Sequence, residues 1–252
     1  MAIFLRNINM SRRAIFALML AALIPAISYI LVKYYSERAV QMPPRFFHDS
    51  VAVTEKNGKT TYDTIWHNVK NISFTNQLGQ QVSLYDIKGK VIVLDFFFTR
   101  CPTVCPQMAK AMKRLQDSFR NYRRKKSDTS IVQFVSISID PIHDSVSQLR
   151  KFADKNNINP DNWWLLTGDR KEIYDFALRE MKANVADADV DTAFIHSLDF
   201  FVLDREKIIR GWYNAFDSAE QQKLVRDIPL LMLEKERKKT FGEFLKELFG
   251  RS

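Results

Sequence analysis

Cysteine is scarce in this sequence: two in 252 residues, Cys101 and Cys105, four positions apart. Two thiols cannot build the disulfide framework that holds small secreted domains together. A bridge between them would close too small a loop to stabilise much chain. Their spacing points to redox or metal chemistry and away from scaffolding. Histidine is nearly as scarce, limited to His48, His67, His143 and His196. Acidic residues are missing from the first 33 positions, where Arg6, Arg12, Arg13 and Lys33 supply four of the net nine positive charges. The rest of the chain is therefore only mildly basic. Its densest cationic run, Arg123-Arg124-Lys125-Lys126, reads as a solvated patch in a loop. Clustered Lys and Arg interleaved with aromatics would mark a nucleic-acid binder, and without them no nucleic-acid partner is expected. No internal repeat is visible.

Apolar residues make up 46% of the chain, with 19 phenylalanines, enough for a packed core. The length suits one substantial domain plus appendages. Ala14 to Val32 is a run of 19 uncharged residues following Arg12-Arg13, about the length that crosses a bilayer core as a helix. It is longer than the apolar stretch of a cleaved signal peptide, so an uncleaved anchor is expected over residues 14–33, after a basic tail at 1–13. Pro25 is tolerable inside such a helix. The short basic tail favours a cytoplasmic N-terminus with the main domain on the other side. No cysteine precedes Cys101, which argues against a lipid-modified anchor.

Residues 34–64, with Pro43-Pro44 and few periodic apolar positions, read as a linker. The main domain is expected over 65–235. Alternating segments at Val69–Thr75 and Gln81–Leu84 suggest a hairpin. The nearly continuous apolar runs Val91–Phe98 and Ile131–Ile139 suggest strands buried on both faces. Met108, Ala111, Met112, Leu115 and Phe119 share one face of a helix predicted from Val104 to Tyr122. A second helix is expected over Ser145–Asn156, with Asp144 as its N-cap. There follow a strand at Trp163–Leu166, a helix at Lys171–Met181, a hairpin from Phe200–Leu203 to Ile208–Tyr213, and a helix from Ser218 towards Pro229. Strands alternating with helices in this order give an α/β domain of thioredoxin-like layout, preceded by the transmembrane helix. The 236–252 tail holds an amphipathic segment opened by a capping box at Thr240 and Glu243.

The segment Phe98-Thr99-Arg100-Cys101-Pro102-Thr103-Val104-Cys105-Pro106 lies where a strand hands over to a helix. Residues four apart on a helix have Cα atoms roughly 6 Å apart. That separation permits a disulfide, and equally lets two sulfurs converge on one metal ion. The helix N-terminus and Arg100 are both expected to favour thiolate. A third ligand would have to come from elsewhere. In a thioredoxin-like sheet the loop leading into the Phe200–Leu203 strand lies beside the cysteine loop, which makes His196 the best-placed histidine. Position alone leaves an ordinary surface or core histidine equally open. Two sulfurs and an imidazole suit copper, and the soft donors particularly suit Cu(I). Met108 and Met112 fit the inner stripe of their helix and read as core. Asp140 and Asp144 read as turn and cap residues, and Trp163 and Trp164 as packing residues.

Taken together, the cysteine segment, Ser138-Ile139-Asp140-Pro141-Ile142-His143-Asp144-Ser145, Leu166-Thr167-Gly168, His196-Ser197 and Phe201-Val202-Leu203-Asp204 resemble the Sco/SenC copper proteins in order and spacing. The resemblance covers about residues 65–226 together with the single anchor. It implies that Cys101, Cys105 and His196 bind one copper ion, as Cu(I) or Cu(II). It further implies a metallochaperone, not an enzyme with turnover, that helps load the dinuclear copper centre of a respiratory cytochrome c oxidase. The implied partners are the oxidase's copper-centre subunit, a copper donor protein and the membrane. The implied location is the bacterial inner membrane with the domain on its extracytoplasmic side. Many relatives carry an Asp directly before the histidine, whereas this chain has Ile195, with Asp191 and Asp199 as alternatives.

The competing reading is a thiol–disulfide oxidoreductase in which Cys101 and Cys105 form the redox pair and reduce the oxidase's copper-ligand cysteines. General thioredoxins use a C-x-x-C spacing and a proline before the penultimate strand, yet no proline occurs between Pro160 and Pro229. A peroxiredoxin-like peroxidase would need a Pro-x-x-x-Thr-x-x-Cys arrangement. Thr99 stands two residues before Cys101, with no proline upstream in the strand.

Overall fold

A computed structural model describes residues 12–39, 42–56, 59–120, 131–183 and 198–234 of the protein. Two compact units divide at residues 42 and 43. The first holds helix α1 (Arg12–Ala39), 28 residues interrupted only by Pro25 in sequence and continuous through it. At 1.5 Å per residue it is about 42 Å long, more than the roughly 30 Å hydrocarbon core of a bilayer. Its most apolar window, Arg12–Tyr29, has a mean hydropathy of 1.4. The helix is long and apolar enough to cross a membrane, and it runs six residues past the end of the expected span.

The second unit begins with a hairpin where the sequence predicts a linker. Strands β1 (His48–Lys56) and β2 (Lys59–Trp66) pair antiparallel, Val53 opposite Tyr62. Val51, Val53 and Tyr62 are exposed, so the hairpin lacks the buried face by which strands are usually recognised. The lead-in to it is fastened to the domain. Phe46 donates its backbone N–H to Ile209 at 3.0 Å and packs edge-on against Trp212 at 4.5 Å between centroids.

A seven-stranded sheet follows, in the order β4-β3-β7-β6-β5-β8-β9. The strands are β3 (Ser73–Asn76), β4 (Gln81–Ser83), β5 (Val91–Phe97), β6 (Val132–Ser138), β7 (Trp163–Thr167), β8 (Asp199–Leu203) and β9 (Ile209–Asn214). Strands β5, β6 and β7 run parallel, flanked by antiparallel neighbours on both sides. Every residue of β5 and β6 is buried, as the unbroken apolar runs predict for strands covered on both faces.

Alternation along β5 divides the core. Val91, Val93 and Phe97 pack with helices α2 (Val104–Arg120) and α5 (Ser218–Leu233). Ile92, Leu94 and Phe96 pack on the opposite side against α4 (Arg170–Asp175) and the π-helical turn Phe176–Glu180. Met108, Ala111, Met112, Leu115 and Phe119 are all buried, as their spacing predicts. Helix α3 (Val146–Lys155) takes Ser145 as its N-cap, not Asp144. Helix α5 continues through Pro229 to Leu233, with Ile228 and Leu231 buried on either side of it. Their packing offsets the hydrogen bond that the proline cannot donate.

Candidate functional site

The site is assembled at the ends of three adjacent strands. Because β5 and β6 are parallel and in register, Phe97 opposite Ser138, the loops that follow them leave the sheet side by side. Strand β8 is antiparallel to β5, with Leu94 opposite Phe201. Its N-terminal end therefore lies at the edge where β5 ends.

The loop after β5 turns through Phe98-Thr99-Arg100. The Cys101 N–H donates to the Phe98 carbonyl at 3.3 Å, and α2 begins at Val104. Cys105 falls in the first helical turn, where Pro106 costs no hydrogen bond because early N–H groups lack intrahelical partners. Both cysteines are free thiols, nearly buried, and the Cys105 N–H donates to Cys101 Sγ at 3.3 Å. Burial alone would push the Cys101 thiol up. Donation from the backbone N–H groups of Cys105, Thr103 and Val104, and from the Cys105 thiol, outweighs it and holds Cys101 below the ordinary thiol range. Burial pushes the Cys105 thiol far up, and the neighbouring Cys101 sulfur and Asp95 carboxylate add to the shift. The pair is thus asymmetric. Arg100, expected to favour the thiolate, instead directs its guanidinium to Asp140 Oδ2 at 2.8 Å. The helix N-terminus does the work expected of it.

The loop after β6 carries the Ser138–Ser145 motif, and its function in the fold is to hold the cysteine loop. Asp144, fully buried, accepts from the Thr99 N–H at 3.0 Å, from Thr99 Oγ1 at 2.5 Å and from Ser138 Oγ at 2.5 Å. These partners consume the carboxylate that would otherwise cap α3. Asp140 pairs with Arg100 and with His143 Nδ1, the latter at 2.8 Å. Burial raises the Asp140 carboxyl, but His143 and Arg100 prevail and hold it below its usual range. Reading these aspartates as turn and cap residues missed both roles. The available signal was their place two and six residues past Ser138, the end of a strand parallel to the cysteine strand.

An apolar cavity of about 120 Å³ opens against the thiols, lined by Phe98, Cys101, Val104, Cys105, Met108 and Leu198 among others. Met108 is core, as expected, and also borders this cavity. His196 lies outside the described residues, as do Ile195, Asp191 and the tail from 236 on. The described chain resumes at Leu198, which lines the cavity. Asp199 opens β8 opposite Asn214. Of the other histidines, His67 joins Asp49 at 2.7 Å and Glu180 at 3.0 Å, remote in sequence from both cysteines. His143 shares a cleft with Cys101. Among the described residues, no three His, Cys, Asp or Glu side chains are grouped so as to hold a metal ion.

The profile of the SCO1/SenC family matches residues 67–232. The SCO1 protein homolog of Bacillus subtilis is 33% identical over 172 residues, which is 68% of this chain and 86% of that protein. A mitochondrial SCO2 homolog of Mus musculus is 26% identical over 155 residues, covering 60% of this chain and 58% of the relative. Among solved structures, a SCO1/SenC family lipoprotein from Bacillus anthracis is 33% identical, with a TM-score of 0.57 over 66% of this chain and 95% of its own. BsSco, described as a member of the Sco family of cytochrome c oxidase assembly proteins with a disulfide switch, is likewise 33% identical, with a TM-score of 0.57 over 69% of this chain and 98% of its own.

Proposed function

This chain belongs to the SCO1/SenC family, and on that premise we propose that it is a membrane-anchored copper carrier in which Cys101, Cys105 and His196 hold one copper ion. The cargo serves assembly of the dinuclear copper centre of a respiratory cytochrome c oxidase. Helix α1 anchors the chain in the bacterial inner membrane and the domain faces the extracytoplasmic side. The observation that carries this reading is the pair of free, nearly buried thiols at a helix N-terminus, opening on an apolar cavity. Soft sulfur donors in an apolar surround suit Cu(I). His196 is supported by chain reach. It stands two residues before Leu198, a span of about 7 Å at most, and Leu198 lines the cavity with both cysteines.

An anaerobic Cu(I) competition titration of the reduced full-length chain tests this reading. One-to-one binding is expected. Cys101→Ser, Cys105→Ser or His196→Ala should each weaken it by more than about 100-fold, beyond what losing an outer hydrogen-bonding partner of a ligand costs. Undiminished affinity in the His196→Ala protein would remove the histidine from the site.

The asymmetry of the two thiols favours a second activity on the same residues, reduction of a partner's disulfide. The Cys101 thiolate would attack one partner sulfur and release the other as thiolate. Cys105, giving up its proton, would then displace the mixed disulfide. The Cys101–Cys105 disulfide and two partner thiols result, with two electrons passed to the partner. Here His196→Ala leaves exchange intact, whereas either cysteine change abolishes it.

A further inference from the structure

We propose that the cleft beside Cys101 is a docking site for an acidic segment of the protein that exchanges copper with this chain, a proposal that rests on the copper reading above. The cleft has a volume of about 400 Å³ and lies between the cysteine loop and helix α3. Arg100, Cys101, His143, Lys151, Phe152 and Lys155 contribute to its lining. That volume falls within the roughly 300–1,000 Å³ of ordinary ligand sites.

Its charge is one-sided. Three permanent cations line it, and no Asp or Glu does. Lys151 and Lys155, one helical turn apart, share a face of α3. Both are exposed, and among the described residues neither pairs with a carboxylate. The nearby Asp140 is already engaged by Arg100 and His143, each at 2.8 Å. Phe152 gives the cleft an apolar wall, tilted against Phe97 at 5.1 Å between centroids.

A protein that hands copper to these thiols, or takes it from them, must bring its own donor atom to Cys101 Sγ. Cys101 is almost buried and lines this cleft, so the partner's flanking residues enter the cleft with its donor atom. The two unpaired lysines there, with Arg100 beside them already paired to Asp140, speed the approach of an acidic flank and repel a basic one. The same charges select against exchange with bystander thiols on basic surfaces.

The test uses the full-length reduced chain in zwitterionic lipid nanodiscs and a fluorescent peptide of alternating Asp and Glu around a central Ser. An Asn/Gln peptide of the same length is the control. Anisotropy should show the acidic peptide bound at least about tenfold tighter than the control, with affinity falling as salt rises. The double change Lys151→Glu, Lys155→Glu should remove that preference while one-to-one Cu(I) binding is unaltered. Equal binding of the two peptides, or an acidic preference that survives charge reversal, overturns the proposal. Peptide binding abolished by anionic lipid in the nanodiscs would assign the lysines to headgroups and overturn it too. Acidic preference in a protein that fails to bind copper would sink the copper reading and leave the acidic docking site standing.

Discussion

Replacing Asp95 with Asn should remove a pH dependence of stability that few single residues could produce. Asp95 stands within β5, in the layer that also holds the cysteines, and is almost wholly buried. One carboxylate oxygen, Oδ1, has no hydrogen-bond partner among the described residues. A side-chain hydrogen bond joins the carboxyl to Ser136, whose Oγ in turn accepts from Trp163 Nε1 at 2.9 Å. Burial dominates over that bond and raises the Asp95 carboxyl from 3.8 to about 7. The folded protein therefore keeps a proton that the unfolded chain has already released. Stability is greatest below the unfolded value, declines as pH rises towards 7, and levels off above it. From pH 5 to pH 8 the decline spans about two pH units, or about 3 kcal/mol.

Asn has nearly the same shape, retains an acceptor for Ser136 and never ionises. At pH 5 the variant and the parent should unfold within about 1 kcal/mol of each other, since each buries one imperfectly satisfied polar atom. At pH 8 the variant should be more stable by about 3 kcal/mol. Urea unfolding followed by tryptophan fluorescence measures this on the chain from residue 40 onward, reduced and chelated, in steps from pH 5 to 8. The difference between the two proteins cancels all other titrations, and equal m-values confirm that the same surface unfolds. Parallel stability curves would refute the reasoning and show that Asp95 is solvated or paired when charged.

Asp144→Ala leaves three donors facing an empty site. The same urea assay should show a loss of about 3–5 kcal/mol, with Cu(I) affinity lowered because Thr99 no longer fixes the cysteine loop; unchanged affinity would separate the clamp from the site. Arg210, 2% exposed, pairs with Asp204 at 2.9 Å and with Glu234 at 2.5 Å, and donates to the Pro43 and Pro44 carbonyls. Arg210→Ala strands the buried Asp204 carboxylate and should cost about 3–5 kcal/mol by thermal or urea unfolding. Arg210→Lys should restore only part of it, because an ammonium lacks the planar fork.

What could be read in the sequence was whatever repeats with the period of an element. The runs in β5 and β6, the stripe on α2 and the cysteine spacing all carry their meaning locally. The β1–β2 hairpin was missed although Asn57-Gly58 is among the strongest hairpin dipeptides. Its strands expose Val51, Val53 and Tyr62, so the alternation does not report a core. Asp95 stands in the sequence as the one charge in an apolar run, yet the run alone predicts only a buried strand. The roles of Asp140, Asp144 and Arg210 depend on partners 40, 45 and up to 167 residues away, and nothing in their immediate neighbours announces them.

That separation explains why the motif after β6 belongs with the cysteines. A loop carrying two near-buried thiols pays conformational entropy to stay in place, and it makes few backbone contacts of its own. Parallel pairing of β5 with β6 sets Phe97 beside Ser138, and the Ile139 N–H donates to the Phe97 carbonyl at 2.9 Å. The β6 loop is thereby delivered to the cysteine loop without further design. Asp144 then takes the Thr99 backbone, and Asp140 takes Arg100. The Cys101 sulfur consequently meets N–H donors from the start of α2, while its other side is left to the cavity and the cleft. On the proposed reading, a cargo ion or a partner sulfur would approach on that open side. The fixed side holds the two thiols in their unequal surroundings, which is what repeated loading and release would require of a carrier.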